Sequence, residues 1–278
     1  MSVPSRLIKV DTPVINKWQK SVYMIKALTH RFFNALAFYT RIPCPNWVDY
    51  SDEQLNRATA YFPLMGYLVA GFSFLVFFLA HQLFSLELSV AISLVSGILF
   101  TGAFHEDGFA DLCDGFGGGW KQADILRIMK DSRLGTYGVT GLLLMLLLKW
   151  QSLVDIAAIN VGYLFLALLV SHAVSRAFAI SLMMVLPYVQ EDALSKANPI
   201  AKDWYKSDMT FAWLTALVPL MFLPIETAAW VLVVGGFNFY WIYKWYLKRL
   251  NGYTGDALGA SQQIQEVCCY LVILGAAT

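Results

Sequence analysis

Ala58-Thr59-Ala60-Tyr61-Phe62-Pro63-Leu64-Met65-Gly66-Tyr67-Leu68-Val69-Ala70-Gly71-Phe72-Ser73-Phe74-Leu75-Val76-Phe77-Phe78-Leu79-Ala80 contains no Asp, Glu, Lys or Arg, and the uncharged run continues to Leu86. A helix crosses the hydrocarbon layer in roughly 20 apolar residues, with about 17 as the practical minimum, so this stretch can span. Further uncharged runs cover 88 to 105, 134 to 148, 156 to 175, 177 to 190, 209 to 225, 227 to 243 and 267 to 278. Helices are expected near 60 to 80, 88 to 104, 157 to 180, 209 to 225 and 227 to 246. A short one at 135 to 150 is capped by Lys149 and Trp150, and a marginal one from Ile264 to Thr278 spans only if Gln265 and Glu266 lie at the interface. Residues 22 to 40 place Lys26, His30 and Arg31 among apolar side chains at helical spacing, which favours a helix in the membrane surface. The expected fold is an all-α polytopic membrane bundle with about six to seven transmembrane helices.

Composition agrees. Of 278 residues 58% are hydrophobic and only 14% charged, where a soluble domain carries about 25% charged. A net charge of +1 gives no signal of a nucleic-acid partner, because no basic excess exists to neutralise a phosphate backbone, and none is expected. Cys44, Cys113, Cys268 and Cys269 form neither a CxxC pair nor a disulfide framework. The N-terminus mixes Arg6, Lys9, Asp11, Lys17 and Lys20 with polar residues and lacks the apolar core of a signal peptide, so it is expected to stay on. No repeat or flexible linker divides the chain, which reads as one domain.

Threading the spans alternately places 41 to 58, 105 to 133, 187 to 208 and 247 to 263 on one side. That side holds Arg41, Arg57, Lys121, Arg127, Lys130, Arg133, Lys196, Lys202, Lys206, Lys248 and Arg249, whereas the other has only Lys149 at an edge. Lys and Arg accumulate in cytoplasmic loops, so the basic side is expected to face the cytoplasm.

On that side lies His105-Glu106-Asp107-Gly108-Phe109-Ala110-Asp111-Leu112-Cys113-Asp114-Gly115, four acids without a base directly after an apolar run. Each carboxylate disfavours ionisation of its neighbours unless a cation neutralises the group. If the segment is helical, Asp107, Asp111 and Asp114 fall at i, i+4 and i+7, within an arc of roughly 60°. Hard oxygen ligands on one face suit Mg²⁺, which bridges protein carboxylates to substrate phosphates. The metal candidates are Glu106, Asp107, Asp111 and Asp114, and a diphosphate substrate follows. The alternative is a solvated helix end whose acids complement the N-terminal dipole. His105 beside these carboxylates reads as a hydrogen-bond partner. The glycines of Gly115-Phe116-Gly117-Gly118-Gly119 allow close backbone approach to a phosphate, or simply form a turn. Residues 121 to 131 read as a short amphipathic helix.

Lys130-Asp131-Ser132-Arg133 sets cations on either side of a carboxylate, suited to phosphate oxygens or to anchoring at the membrane edge. Arg41, stiffened by Pro43 and Pro45, can meet a phosphate or a lipid headgroup. Arg176, among apolar residues with His172 and Ser175, needs an acidic or phosphate partner or must snorkel to the interface. In Gly252-Tyr253-Thr254-Gly255-Asp256, Asp256 is a candidate metal ligand or general base, with an ordinary turn aspartate as the alternative. No spacing supports Ser-His-Asp or Cys-His catalysis or a zinc site. The residues point to a Mg²⁺-dependent enzyme acting on a diphosphate at the cytoplasmic membrane face.

Five segments carry a resemblance beyond this chemistry: Ala37-Phe38-Tyr39-Thr40-Arg41-Ile42-Pro43; Tyr61-Phe62-Pro63-Leu64-Met65-Gly66; Thr101 to Asp111; Ile128-Met129-Lys130-Asp131-Ser132-Arg133-Leu134-Gly135-Thr136-Tyr137-Gly138; and Gly252 to Asp256. In these residues, in this order, the chain resembles the cobalamin synthase family, the adenosylcobinamide-GDP ribazoletransferases. The resemblance runs from residue 37 to about 260. It implies an integral membrane transferase domain over 26–278, preceded by an extension over 1–25. It further implies transfer of adenosylcobinamide phosphate from adenosylcobinamide-GDP to α-ribazole or α-ribazole 5'-phosphate, giving adenosylcobalamin or its 5'-phosphate and GMP, in the bacterial inner membrane. Asp107, Asp111 and Asp256 are then the expected catalytic residues. Arg41, His105, Lys130, Asp131, Ser132, Arg133, Arg176 and Thr254 are the expected substrate contacts. Faces rich in Trp and Phe suit lipid, self-association or the corrin ring. Rival readings are a CDP-alcohol type phosphotransferase, whose signature has Arg after the first Asp-Gly, and a cation transporter. Transport needs polar groups through the bilayer, whereas the spans beneath the acids read as mostly Leu, Val, Phe and Ala.

Overall fold

A computed structural model describes residues 17–189 and 203–278; Arg6, Lys9, Asp11, Lys196 and Lys202 lie outside the described residues. Apart from one bridge between Tyr188 and Tyr253, the regular structure among the described residues is helical. In order come α1 (Lys17–Tyr39), α2 (Asp52–Ala58), α3 (Phe62–Ala80), α4 (Leu86–Thr101), α5 (Phe104–Gly118) and α6 (Gln122–Met129). Then follow α7 (Thr136–Ile159), α8 (Val161–Ser181), α9 (Lys206–Leu217), α10 (Ile225–Leu250) and α11 (Gly255–Ala277).

Four helical stretches among the described residues are long and apolar enough to cross a membrane: Asp52–Ala80, Thr136–Ile159, Val161–Met184 and Ile225–Leu250. α4 and α5 qualify as a fifth only together, bent by 89°. The chain is a multi-pass all-α membrane protein; among the described residues four or five stretches pass on length and composition, beside the six to seven transmembrane helices expected. Two of the expected helices carry features that keep them out of that set. α9 stops at Leu217 and passes into a 3-10 turn over Val218–Phe222, where Pro219 cannot supply a helical amide. α11 carries Gln262, Gln263, Gln265 and Glu266, and it buries them inside the bundle instead of holding them at the interface.

Local chemistry sets the ends. The Ser85 hydroxyl accepts from the Leu88 amide at 3.4 Å to start α4, and Asn160 Oδ1 accepts from the Tyr163 amide at 3.0 Å to start α8. α7 therefore runs through Lys149 to Ile159, which corrects the expected end at 150 and the placement of Lys149 at a membrane edge: it is 3% exposed. Two apolar cores fill the bundle. One joins Tyr39, Phe62, Met65, Leu112, Ile125, Ile180, Tyr246 and Leu258. The other joins Phe77, Leu153, Leu168, Val174, Val231 and Ile273. On α11, Gln262 to Glu266 fall between them.

Candidate active site

Ends of the long helices meet around α5. α4 terminates with Gly102 at φ +73° and Ala103 at φ +58°, and this left-handed pair turns the chain into α5. Arg41 covers the corner: its amide donates to the Phe100 carbonyl at 2.8 Å and its guanidinium to the Gly102 carbonyl at 3.3 Å. The left-handed φ at Gly102 favours glycine, and a Cβ there would displace that guanidinium. At the other end of α5, Arg249 of α10 donates to the Phe116 and Gly119 carbonyls at 2.9 and 2.6 Å, a cation on the helix C-terminus. Gln122 donates to the Leu250 carbonyl at 2.6 Å. The segments threaded onto one side of the membrane therefore do pack together.

α5 runs unbroken through Gly108, where α11 crosses so closely that a Cβ would stand 2.8 Å from the Asp256 Cα and carbonyl oxygen. This crossing sets Asp256, in the first turn of α11, beside the acid face of α5. Asp107 is exposed, and Asp111 and Asp256 are half-buried. The charges acting on Asp111 are those of Asp107, Asp256 and Asp114.

The other two acids are engaged elsewhere. Asp114 is buried and accepts from the Gly135 and Gly138 amides at 2.7 and 2.8 Å, capping α7. Glu106 turns inward: one oxygen accepts from Gln263 Nε2 at 3.0 Å, and the other is buried without a hydrogen-bond partner among the described residues. His105, 2% exposed, stacks on Phe62 at 5.4 Å. Arg176, 2% exposed, donates to the His172 carbonyl at 2.8 Å and stands 5.2 Å over the Phe62 ring, so it does not snorkel. Thr254 caps α11, its hydroxyl accepting from the Ala257 amide at 3.1 Å.

The Lys130 to Arg133 segment is at the surface. Arg133 donates to Asp131 at 3.0 and 2.6 Å, and this pairing, chiefly the side-chain bond, holds the Asp131 carboxyl down at about 2. Lys130 and Ser132 are exposed. A recess of about 260 Å³ opens there, lined among others by Asp114, Arg127, Asp131, Arg133 and Tyr137. The glycine run corrects a sequence reading: Gly115 to Gly118 are helical, and Gly115 and Gly119 admit Ile125 and Met129 of α6, so no phosphate loop forms. The amphipathic helix expected over 121 to 131 is α6, with Ile125 and Met129 buried.

A buried polar layer escaped the sequence reading. It comprises Lys149, His172, Gln262, Gln263 and Glu266; all of these but Gln262, with His105, Glu106 and Arg176, line a cavity of about 30 Å³. The spans beneath the acids are therefore not purely apolar. Leu168 of the second core lines the same cavity. Reading the pattern of 134 to 159 through Lys149 was the available signal, since an ionisable residue inside a span needs a buried partner.

Mg²⁺ fits the donor chemistry here, since Asp107, Asp111 and Asp256 offer hard oxygens. Among the described residues no three His, Cys, Asp or Glu side chains converge into a metal cage. The set suits an ion held by one or two carboxylates together with substrate phosphate oxygens.

A family model described as cobalamin-5-phosphate synthase matches residues 31–274. The chain belongs to this family. A relative from Shewanella frigidimarina (strain NCIMB 400) is 46% identical over 252 residues, 87% of this chain and 93% of its own. One from Shewanella oneidensis is 44% identical over 244 residues, with the same shares. Both are named adenosylcobinamide-GDP ribazoletransferase. No solved structure matches the chain. The part matched to the cobalamin-5-phosphate synthase family contains every candidate residue from Arg41 to Asp256, and the polar layer as well.

Proposed function

We propose that this protein is an adenosylcobinamide-GDP ribazoletransferase, and the family match over residues 31–274 is the observation that carries the proposal. It joins adenosylcobinamide-GDP to α-ribazole or its 5'-phosphate. A ribose hydroxyl oxygen bonds to the phosphorus attached to cobinamide, the bridge to the second phosphorus breaks, and GMP leaves. The products are adenosylcobalamin or its 5'-phosphate.

Asp107 and Asp111, one turn apart on α5, would hold Mg²⁺, which when bound would supply positive charge to the diphosphate and to the departing GMP. Asp256, set beside them by the Gly108 crossing, or Asp111 accepts the proton of the attacking hydroxyl. Lys130 and Arg133 hold nonbridging oxygens; to do so Arg133 turns from Asp131 toward the phosphate. Arg41 borders the corner at which the substrate enters. Asp114 and Thr254 act by holding α7 and α11, and Glu106, His105 and Arg176 by filling the layer beneath.

The site faces the cytoplasm of the bacterial inner membrane, as the accumulation of basic residues around α5 supports. Exposed Trp230, Phe237, Trp241 and Trp245 meet membrane lipid, and a homo-oligomer would pack on the same faces.

The test is GMP release from adenosylcobinamide-GDP by protein in sealed vesicles. Release is expected only with acceptor and Mg²⁺ present and with the α5 face outward, and Asp107→Asn should lower turnover by about 10³-fold or more while still inserting. Release without acceptor, or an Asp107→Asn variant as active as the parent, would refute the assignment.

A further inference from the structure

Lys149, Gln263 and Glu266 tie three helices together beneath the site. Lys149 Nζ of α7 donates to Gln263 Oε1 at 2.6 Å and to Glu266 Oε1 at 2.7 Å, both on α11. Gln263 Nε2 passes the link to α5, donating to Glu106 Oε1 at 3.0 Å, and also donates to Gln262 Oε1 at 2.9 Å. Glu266 is held from every side: Tyr270 donates to Oε1 at 3.2 Å, Gln262 to Oε2 at 2.5 Å, and His172 Nδ1 lies 3.2 Å from Oε2. Lys149 is 3% exposed, and Gln263 and Glu266 are each 2% exposed. Charges buried this deeply are retained only where their partners are fixed.

The geometry of the α5–α11 crossing gives the network a task. The backbones touch at Gly108 and Asp256, and Gly259 of α11 lies against the His105 backbone. The C-terminal half of α5 is tied by Asp114 to the start of α7 and by Arg249 to α10; in its first turn the bond from Gln263 to Glu106 ties it to α11, one residue from Asp107. Lys149 in turn fixes the Gln263 amide, because its ammonium takes the carbonyl oxygen and leaves only the amino group to face Glu106.

We propose that Lys149 and Gln263 are positioning residues that hold the first turn of α5 and so set Asp107 and Asp111 against Asp256 for a divalent ion. This rests on Asp107 and Asp111 being the ligands of that ion. The bond is made by side chains far from substrate, so its loss shows in ion affinity and in kcat more than in the KM for the donor.

The test uses the full chain in lipid nanodiscs, with Mn²⁺ as the probe read by electron paramagnetic resonance, alongside GMP-release kinetics and a thermal melt. Gln263→Met removes the link without changing charge. The pair Lys149→Met with Glu266→Gln removes the ammonium that orients the Gln263 amide while leaving the net charge of the interior unchanged. Mn²⁺ affinity should fall about fivefold, the equivalent of one net hydrogen bond. The kcat should fall about tenfold or more, as a displaced catalytic group requires. Donor KM should stay near the parent value. Variants that insert but keep Mn²⁺ affinity and kcat within about twofold of the parent overturn the proposal, whatever happens to the melt, since a purely structural network would move only the melt. If the paired variant does not insert, Gln263→Met alone decides. A parent protein that releases GMP but binds no Mn²⁺ removes the metal reading and this inference together; a parent that binds Mn²⁺ beside unaffected variants removes this inference alone.

Discussion

Asp107, Asp111 and Asp114 share a helical face, yet Asp114 does different work from its neighbours. The i, i+4, i+7 spacing was readable in the chain, and α5 shows it. What spacing could not reveal is that the Gly135 and Gly138 amides come down on Asp114 from the start of α7. A carboxylate holding two backbone amides is an N-terminal cap, and removing such a cap costs about 1–2 kcal/mol. Asp114→Ala is therefore expected to lower thermal stability by about that amount, while the protein that remains folded keeps its Mg²⁺ requirement. A variant that melts like the parent but no longer responds to Mg²⁺ would return Asp114 to the metal. Glu106 followed the same logic of hidden partners: nothing within His105 to Asp111 announces Gln263, which lies far along the chain. Local periodicity tells which face a residue shares, whereas the partner on that face is a tertiary fact.

At the scale of elements, Gly108 is the position at which α5 and α11 meet. Glycine lowers intrinsic helix propensity, but here its missing Cβ lets α11 cross at contact distance. Gly108→Ala inserts a carbon 2.8 Å from the Asp256 backbone. Overpacking of this kind typically costs about 1–3 kcal/mol. The expected outcome is a modest drop in melting temperature with a far larger loss of turnover, measured by a melt and GMP release on one preparation, because the displaced atoms belong to the site. Turnover falling only in step with folded protein would show that the crossing has no catalytic role. The elements read least well were α7 and α11. A scan for uncharged runs stopped at Lys149 and treated Glu266 as an interfacial residue, although the two neutralise each other at 2.7 Å inside the bundle. Charge counts assume a charge has to meet water; a paired charge does not.

Taken whole, the molecule is an apolar bundle with one chemically dense end. Its all-α multi-pass character was legible in composition and run length, because hydrocarbon imposes those on any helix that crosses it. The number of spans was less legible, since the 3-10 turn at Pro219 shortens α9 and the glutamines buried in α11 lower its apolar character. The gathering of helix ends around α5 follows from the alternation of spans, and Arg41, Arg249 and Gln122 realise it through bonds to backbone carbonyls. Under the proposed function, an ion shared between protein carboxylates and a diphosphate would sit at that end. Mn²⁺ in place of Mg²⁺, with adenosylcobinamide-GDP added, allows ³¹P electron–nuclear double resonance to read the arrangement directly. A bound Mn²⁺ coupled to donor phosphorus, with the signal lost in Asp107→Asn and Asp111→Asn, is the predicted result. Bound Mn²⁺ without phosphorus coupling, or coupling that survives both substitutions, would contradict it.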